Sequence, residues 1–136
     1  MKLVILGCGR VGATFASQMD KAGHSVAVID SNSDSFQRLD PHFQGDRLIG
    51  NGVDEDVLRR AGIEKADAFI AVTNGDNRNI MASQIAKEIF HVQRVVCRIY
   101  DPIRHSTYRD LGIETICPTI IGVDMLLNAL QSAKQK

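Results

Sequence analysis

The sequence predicts an α/β protein, a doubly wound Rossmann fold with a six-stranded parallel sheet in the order 3-2-1-4-5-6 and helices on both faces. Three observations lead there. Apolar runs of strand length alternate with helical patterns along the whole chain. The first run, Leu3 to Leu6, enters Gly7-Cys8-Gly9-Arg10-Val11-Gly12, a G-x-G-x-x-G turn that opens a helix. The second run, Val26 to Ile29, ends in Asp30, 18 residues after Gly12. Alternating strands and helices imply parallel strands with right-handed crossovers, and six strands with the glycine turn after the first fit the doubly wound order.

Each element has its own local signal. After the glycine turn, Val11, Phe15, Met19 and Ala22 recur at helical spacing, and Gly23 stands where a C-cap belongs. Beyond Asp30, Ser31-Asn32-Ser33 supplies turn and cap residues, and Phe36 and Leu39 give a short helix a buried side before Pro41. Residues 46–49 form a short third strand, followed by the loop Gly50-Asn51-Gly52. The next helix carries Val57, Leu58 and Ala61, with Asp54, Glu55 and Asp56 near its start and Gly62 at its end. Ala68 to Val72 is the fourth strand, opening into Thr73-Asn74-Gly75-Asp76-Asn77. A long helix over roughly 77–90 follows from Met81, Ile85 and Ile89 at intervals of four. Arg94 to Ile99 is the fifth strand, Asp101-Pro102 starts a helix that Leu111-Gly112 closes, Ile113 to Ile116 is the sixth strand, and Pro118 opens a final helix.

That last helix has an apolar arc wider than one buried stripe requires, from Ile120, Ile121, Val123, Met125, Leu126, Leu127 and Leu130. The excess points to a second surface from another subunit or a missing domain. The alternative is a helix lying deep in a groove of its own sheet.

The chain of 136 residues holds one domain, without room for a separate substrate domain. Sixteen basic residues balance sixteen acidic ones, so overall charge gives no sign of a nucleic-acid or membrane-surface partner. No apolar run approaches the length of a membrane span, and Met1-Lys2 leads straight into a core strand, which predicts a cytoplasmic protein without direct membrane insertion. Cys8, Cys97 and Cys117 lack C-x-x-C spacing and read as reduced thiols rather than a disulfide framework or zinc site. Cys8 stands at a helix N-terminus, where a thiol pKa can fall; the competing reading is a small side chain filling the turn.

The glycine turn carries chemistry through its backbone. Gly7 allows a tight exit from the strand, Gly9 lets a pyrophosphate approach, and Gly12 lets the helix pack on the sheet. Free N–H groups and the helix dipole then face an anion. Asp30, with Ser31 beside it, is placed to accept hydrogen bonds from ribose hydroxyls and would repel a 2′-phosphate. The plainer alternative is that the glycines only permit close packing and Asp30 is a turn residue. Ligands of doubly wound sheets sit beyond the strand C-termini at the switch point, which selects residues 7–12, Asp30, 50–52 and 73–76.

The segments ILGCGRVGATFA, VAVID, GNGVDEDVLRRAGI, ADAFIAVTNGDNRNIMASQIAK, VVCRIYDP and LGIETICPT together resemble the nucleotide-binding RCK, KTN or TrkA-N domains of potassium channels and Trk/Ktr-type potassium uptake systems. The resemblance implies that Gly7, Cys8, Gly9, Arg10, Val11 and Gly12 hold the phosphates of NAD(H) or ATP/ADP and that Asp30 holds the adenosine ribose. It implies that Asn51 and Gly52 border the adenine, Thr73 and Asn74 the far end of a dinucleotide, and that Arg98 points from strand five to the ligand. Arg10 can also reach a neighbouring subunit's nucleotide. For Arg10 and Arg98 the plain alternative is a solvated surface arginine.

The implied organisation is a nucleotide-binding domain over 1–118 and a crossover or interface helix over 119–136. Full-length relatives usually carry a further C-terminal subdomain, and the chain stops at that helix. Some relatives place a glutamate after the proline matching Pro118 for a cation between subunits; here Thr119 stands there, so no metal is expected. The implied function is that of a regulatory subunit, not an enzyme. It would assemble as a homodimer or higher ring through its last helix and be held at the inner face of the cell membrane by a potassium transporter or channel subunit. The competing class is a small NAD-dependent oxidoreductase or its cofactor domain. Hydride transfer needs an acid or base beside the nicotinamide, and the strand ends offer Thr73, Asn74 and Asp76 but no histidine, lysine or tyrosine.

Overall fold

A computed structural model describes residues 1–134, so the last two residues of the expected interface helix lie outside the described residues. Six strands form one parallel sheet: β1 (Lys2–Leu6), β2 (Ser25–Asp30), β3 (Asp46–Ile49), β4 (Ala68–Ala71), β5 (Arg94–Arg98) and β6 (Glu114–Ile116). Their order is β3-β2-β1-β4-β5-β6, as expected. The helices between them are α1 (Arg10–Lys21), α2 (Glu55–Arg60), α3 (Asp76–Gln84) and α4 (Pro102–Asp110), and α5 (Pro118–Lys134) follows β6.

Strand β1 is central and apolar on both faces, which is why its residues divide between two cores. Val4 and Leu6 pack with Ile29, Leu58 and Phe69, whereas Leu3 and Ile5 pack with Ala13, Ala16 and Val28. A third cluster of Ile80, Cys97, Ile99 and Ile113 closes the β5–β6 side. Left-handed glycines stand just beyond α1, α2 and α4, at Gly23 (φ 95°), Gly62 (φ 88°) and Gly112 (φ 87°).

The short helix expected near Phe36 is a 3-10 segment, Ser33–Arg38, capped by the Asn32 side chain, which accepts from Asp34 N at 3.0 Å. The long helix expected over 77–90 changes character. Residues Asp76–Gln84 are α-helical, and Ile85–Ile89 form a π-helical turn in which Phe90 N donates to Ile85 O at 3.2 Å. Met81 and Ile89 are exposed there, while Asn79, Ile80, Ala82, Ser83 and Ala86 are buried.

Helix α5 does not lie in a groove of its own sheet. Met125, Leu126 and Leu130 are 66–68% exposed, and Ile121, Val123 and Leu127 are also exposed. Its root is tied down: Thr119 Oγ1 donates to Tyr100 O at 2.8 Å and Cys117 Sγ to the same oxygen at 3.5 Å. Among the described residues, no helix is long and apolar enough to cross a membrane.

Candidate functional site

At the C-terminal ends of β1 and β4, where the sheet order reverses, lies a cleft of about 500 Å³. That volume falls within the range of small-molecule and cofactor sites. The glycine turn forms its floor. Gly7 leaves β1 at φ 107°, its N–H donating to Ile29 O at 2.8 Å, and a Cβ there would lie 2.9 Å from Thr73 N. A Cβ on Gly12 would collide with the Gly7 carbonyl oxygen, so these two glycines permit the contact between the start of α1 and the end of β1. Gly9 is the N-cap of α1 and offers no side-chain cap, and Ala13 N is the first amide to bond back to it. The N–H groups of Arg10 and Val11 thus open the helix without helical partners, at the positive end of its dipole.

Asp30, at the tip of β2, faces this turn. Its Oδ2 accepts from Cys8 N at 2.8 Å and its Oδ1 from Asn32 N at 2.9 Å. The two amides fix the carboxylate, and each oxygen keeps a lone pair for a ribose hydroxyl. Cys8 therefore spends its N–H on Asp30 and not on a phosphate. Its thiol is fully buried and donates to Ser35 O at 3.4 Å. Burial pushes the Cys8 thiol up to about 11, with the Asp30 charge adding to the rise. Of the two readings of Cys8, the small residue filling the turn is the one the geometry supports; at this pKa the thiol is not an activated nucleophile.

The wall under β4 is a hydrogen-bonded network around Asn79, which is fully buried. Asn79 Oδ1 accepts from Thr73 N at 2.9 Å and Thr73 Oγ1 at 2.6 Å, and Nδ2 donates to Thr73 O and Arg98 O, each at 2.9 Å. Arg98 is not a solvated surface residue. Its Nη2 donates to Val72 O at 2.7 Å and Thr73 O at 3.0 Å, and its guanidinium lies 4.9 Å from the centre of the Tyr100 ring. Asp76 turns away, accepting from Tyr100 N at 2.8 Å and Asp101 N at 3.1 Å.

Of the residues expected from sequence, Gly7, Gly9, Arg10, Asp30, Ser31, Asn51, Gly52, Thr73, Asn74 and Arg98 line this one cleft. Cys8, Val11 and Gly12 lie behind or beside it and bear on it through backbone and packing. Gly50, the first residue of the selected 50–52 loop, lines it as well, whereas the lining polar residues Ser35, Arg38 and Arg78 were missed. The acid at Asp30 pointed to the neighbourhood of Ser35 and Arg38. Nothing in the sequence around Arg78 distinguished it from a surface arginine. Among the described lining residues, Asp30 is the one carboxylate and no histidine, lysine, cysteine or tyrosine is present.

Residues 3–119 match the TrkA-N domain family. The chain belongs to that family. It is 49% identical over 130 residues to the Trk system potassium uptake protein TrkA of Streptomyces coelicolor, an alignment covering 96% of this chain and 58% of that protein. This TrkA-N chain thus spans little more than half the length of that relative. Among solved structures, GsuK bound to ADP superimposes with a TM-score of 0.80 at 24% identity, covering 97% of this chain and 34% of that one. The GsuK channel bound to NAD superimposes with a TM-score of 0.81 at 23% identity, covering 98% and 24%. These two likenesses show the fold.

Proposed function

We propose that this TrkA-N domain binds an adenine nucleotide, NAD(H) or ATP/ADP, in the cleft above Gly7–Gly12 and passes its ligand state to a membrane potassium transporter or channel. The observation that carries the reading is the pairing of an uncapped α1 N-terminus with the amide-fixed carboxylate of Asp30 across one cleft. The first suits a phosphate and the second a ribose lacking a 2′-phosphate. GsuK has been solved with ADP and with NAD, two ligands sharing the adenylate that such a cleft would grip.

The domain is a sensor and not an enzyme in this reading. Asp30 is the one titratable acid lining the cleft, and both its oxygens already hold backbone amides, which supports binding without proton transfer. Work on a gate would come from a difference in nucleotide affinity between two arrangements of subunits, since equal affinity shifts nothing. The exposed apolar face of α5 supports a homodimer or ring, with Arg10 reaching a neighbour's nucleotide, and with the assembly held at the inner membrane face by its transporter.

Calorimetric titration of the purified chain with NADH, NAD, ATP, ADP and AMP, paired with light scattering, tests this directly. At least one of these ligands binds, the assembly size depends on which is bound, and no nucleotide-dependent redox turnover occurs. Indifference to all five, or redox turnover, overturns the proposal.

A further inference from the structure

The cleft is electrically lopsided. Four arginines line it, Arg10, Arg38, Arg78 and Arg98, against the single carboxylate of Asp30. The ion pairs among the described residues involve Arg59, Arg104 and Arg109, so none of the four cleft arginines is paired with an acid. Asp30 makes no ion pair with Arg38; its oxygens accept instead from the amides of Cys8 and Asn32. The arginines also divide by place. Arg38 belongs to the 3-10 segment beside the Asp30 end, whereas Arg10, Arg78 and Arg98 stand where α1, α3 and β5 meet the crevice. Arg98 is already tied to Val72 O and Thr73 O. Arg10 and Arg78 are both exposed and have no hydrogen-bond partner among the described residues. Arg78 is the third residue of α3, whose N-cap Gly75 supplies no side-chain bond, and the nearby Asp76 faces the other way, toward Tyr100 N and Asp101 N.

One phosphate is satisfied by the glycine turn and the α1 N-terminus. Two further guanidiniums without partners lining the same cleft call for more negative charge than a single phosphate brings. In a nicotinamide dinucleotide that region would receive a second ribose and a ring that is neutral or cationic. In an adenosine di- or triphosphate it receives a terminal phosphate, carrying about −1.5 to −2 charges at neutral pH.

Resting on the adenine-nucleotide reading above, we propose that Arg78 is a specificity-determining residue that, lining the same crevice as Arg10, receives the terminal phosphate of an adenosine di- or triphosphate and so favours these ligands over a nicotinamide dinucleotide. The site at Arg78 is open to solvent, so its contribution weakens as salt is raised.

The test is titration of the full chain and its Arg78→Gln and Arg78→Lys variants with ATP, ADP, AMP and NADH at low and moderate salt. The original chain binds ADP or ATP at least tenfold more tightly than NADH. Arg78→Gln loses about tenfold for ADP and ATP, equivalent to about 1.4 kcal/mol, changes less than threefold for AMP and NADH, and Arg78→Lys recovers part of the loss. A uniform loss across all four ligands, no loss, or tighter binding of NADH than ADP by the original chain overturns the assignment of Arg78 while leaving adenine-nucleotide binding intact. Failure of the original chain to bind any of the four overturns the underlying reading instead.

Discussion

Gly9 and Gly12 stand one helical turn apart and are required for different reasons. A Cβ at Gly12 runs into the Gly7 carbonyl, whereas a Cβ at Gly9 meets nothing within 4 Å. Gly12 is therefore a packing residue and Gly9 an approach residue. Gly12→Ala should cost about 2–3 kcal/mol of unfolding free energy in a urea titration, because α1 must move off β1. Gly9→Ala should leave stability within about 0.5 kcal/mol while weakening nucleotide binding at least tenfold. Normal affinity in the Gly9 variant would mean that no phosphate passes over this turn. Residues of this kind were legible in the sequence because their signal is local: the glycine spacing, the strand before it and Asp30 at its fixed distance. Arg38 and Arg78 were not, since an arginine near a helix end reads the same whether the helix faces a crevice or bulk water. Only the arrangement of the sheet tells them apart.

Among the elements, α3 departs most from its sequence pattern. Met81, Ile85 and Ile89 announced a helix correctly but not its inner face: Met81 is exposed already in the α-helical part, Ile85 packs partly against the core, and the π-helical turn over Ile85–Ile89 shifts the register beyond it, where Ile89 is exposed. The inner face instead carries polar Asn79, with its carbonyl oxygen and amide nitrogen both hydrogen-bonded in the network joining Thr73 to Arg98. A buried polar residue at a core position is invisible to a search for apolar periodicity, and its partners are set by strands distant in sequence. Removing it strands the Thr73 amide and takes a partner from the Thr73 hydroxyl and from the carbonyls of Thr73 and Arg98, although Gly75 and Arg98 still hold the Thr73 hydroxyl and carbonyl. Asn79→Ala should cost about 3 kcal/mol in denaturant unfolding and should weaken nucleotide binding through the loosened Thr73 loop. A cost below about 1 kcal/mol would show that water replaces the side chain there.

For the molecule as a whole, the strand order followed from the alternation together with the glycine turn after the first strand, since parallel strands need crossovers, crossovers of one hand leave few arrangements, and that turn marks the dinucleotide-binding order among them. The apolar excess of α5 was likewise readable, because its arc exceeds what one sheet can cover. What covers it was not, because an interface is written in two chains. If α5 pairs subunits, Leu126→Glu combined with Leu130→Glu should yield monomers by light scattering with unchanged far-UV circular dichroism, both side chains being about two-thirds exposed within one chain. An original chain that is already monomeric at micromolar concentration would remove that role. The anchorage of α5 at Tyr100 has a mechanical corollary. The same residue that holds Thr119 and Cys117 by its carbonyl gives its N–H to Asp76 and its ring to Arg98, so the crevice wall and the pivot of α5 share one residue. Over the 17 residues of α5 the lever arm is about 25 Å. A tilt of about 5° at Pro118 therefore sweeps the distal end through about 2 Å, turning an adjustment smaller than a bond length at the crevice into a displacement a neighbouring protein can feel.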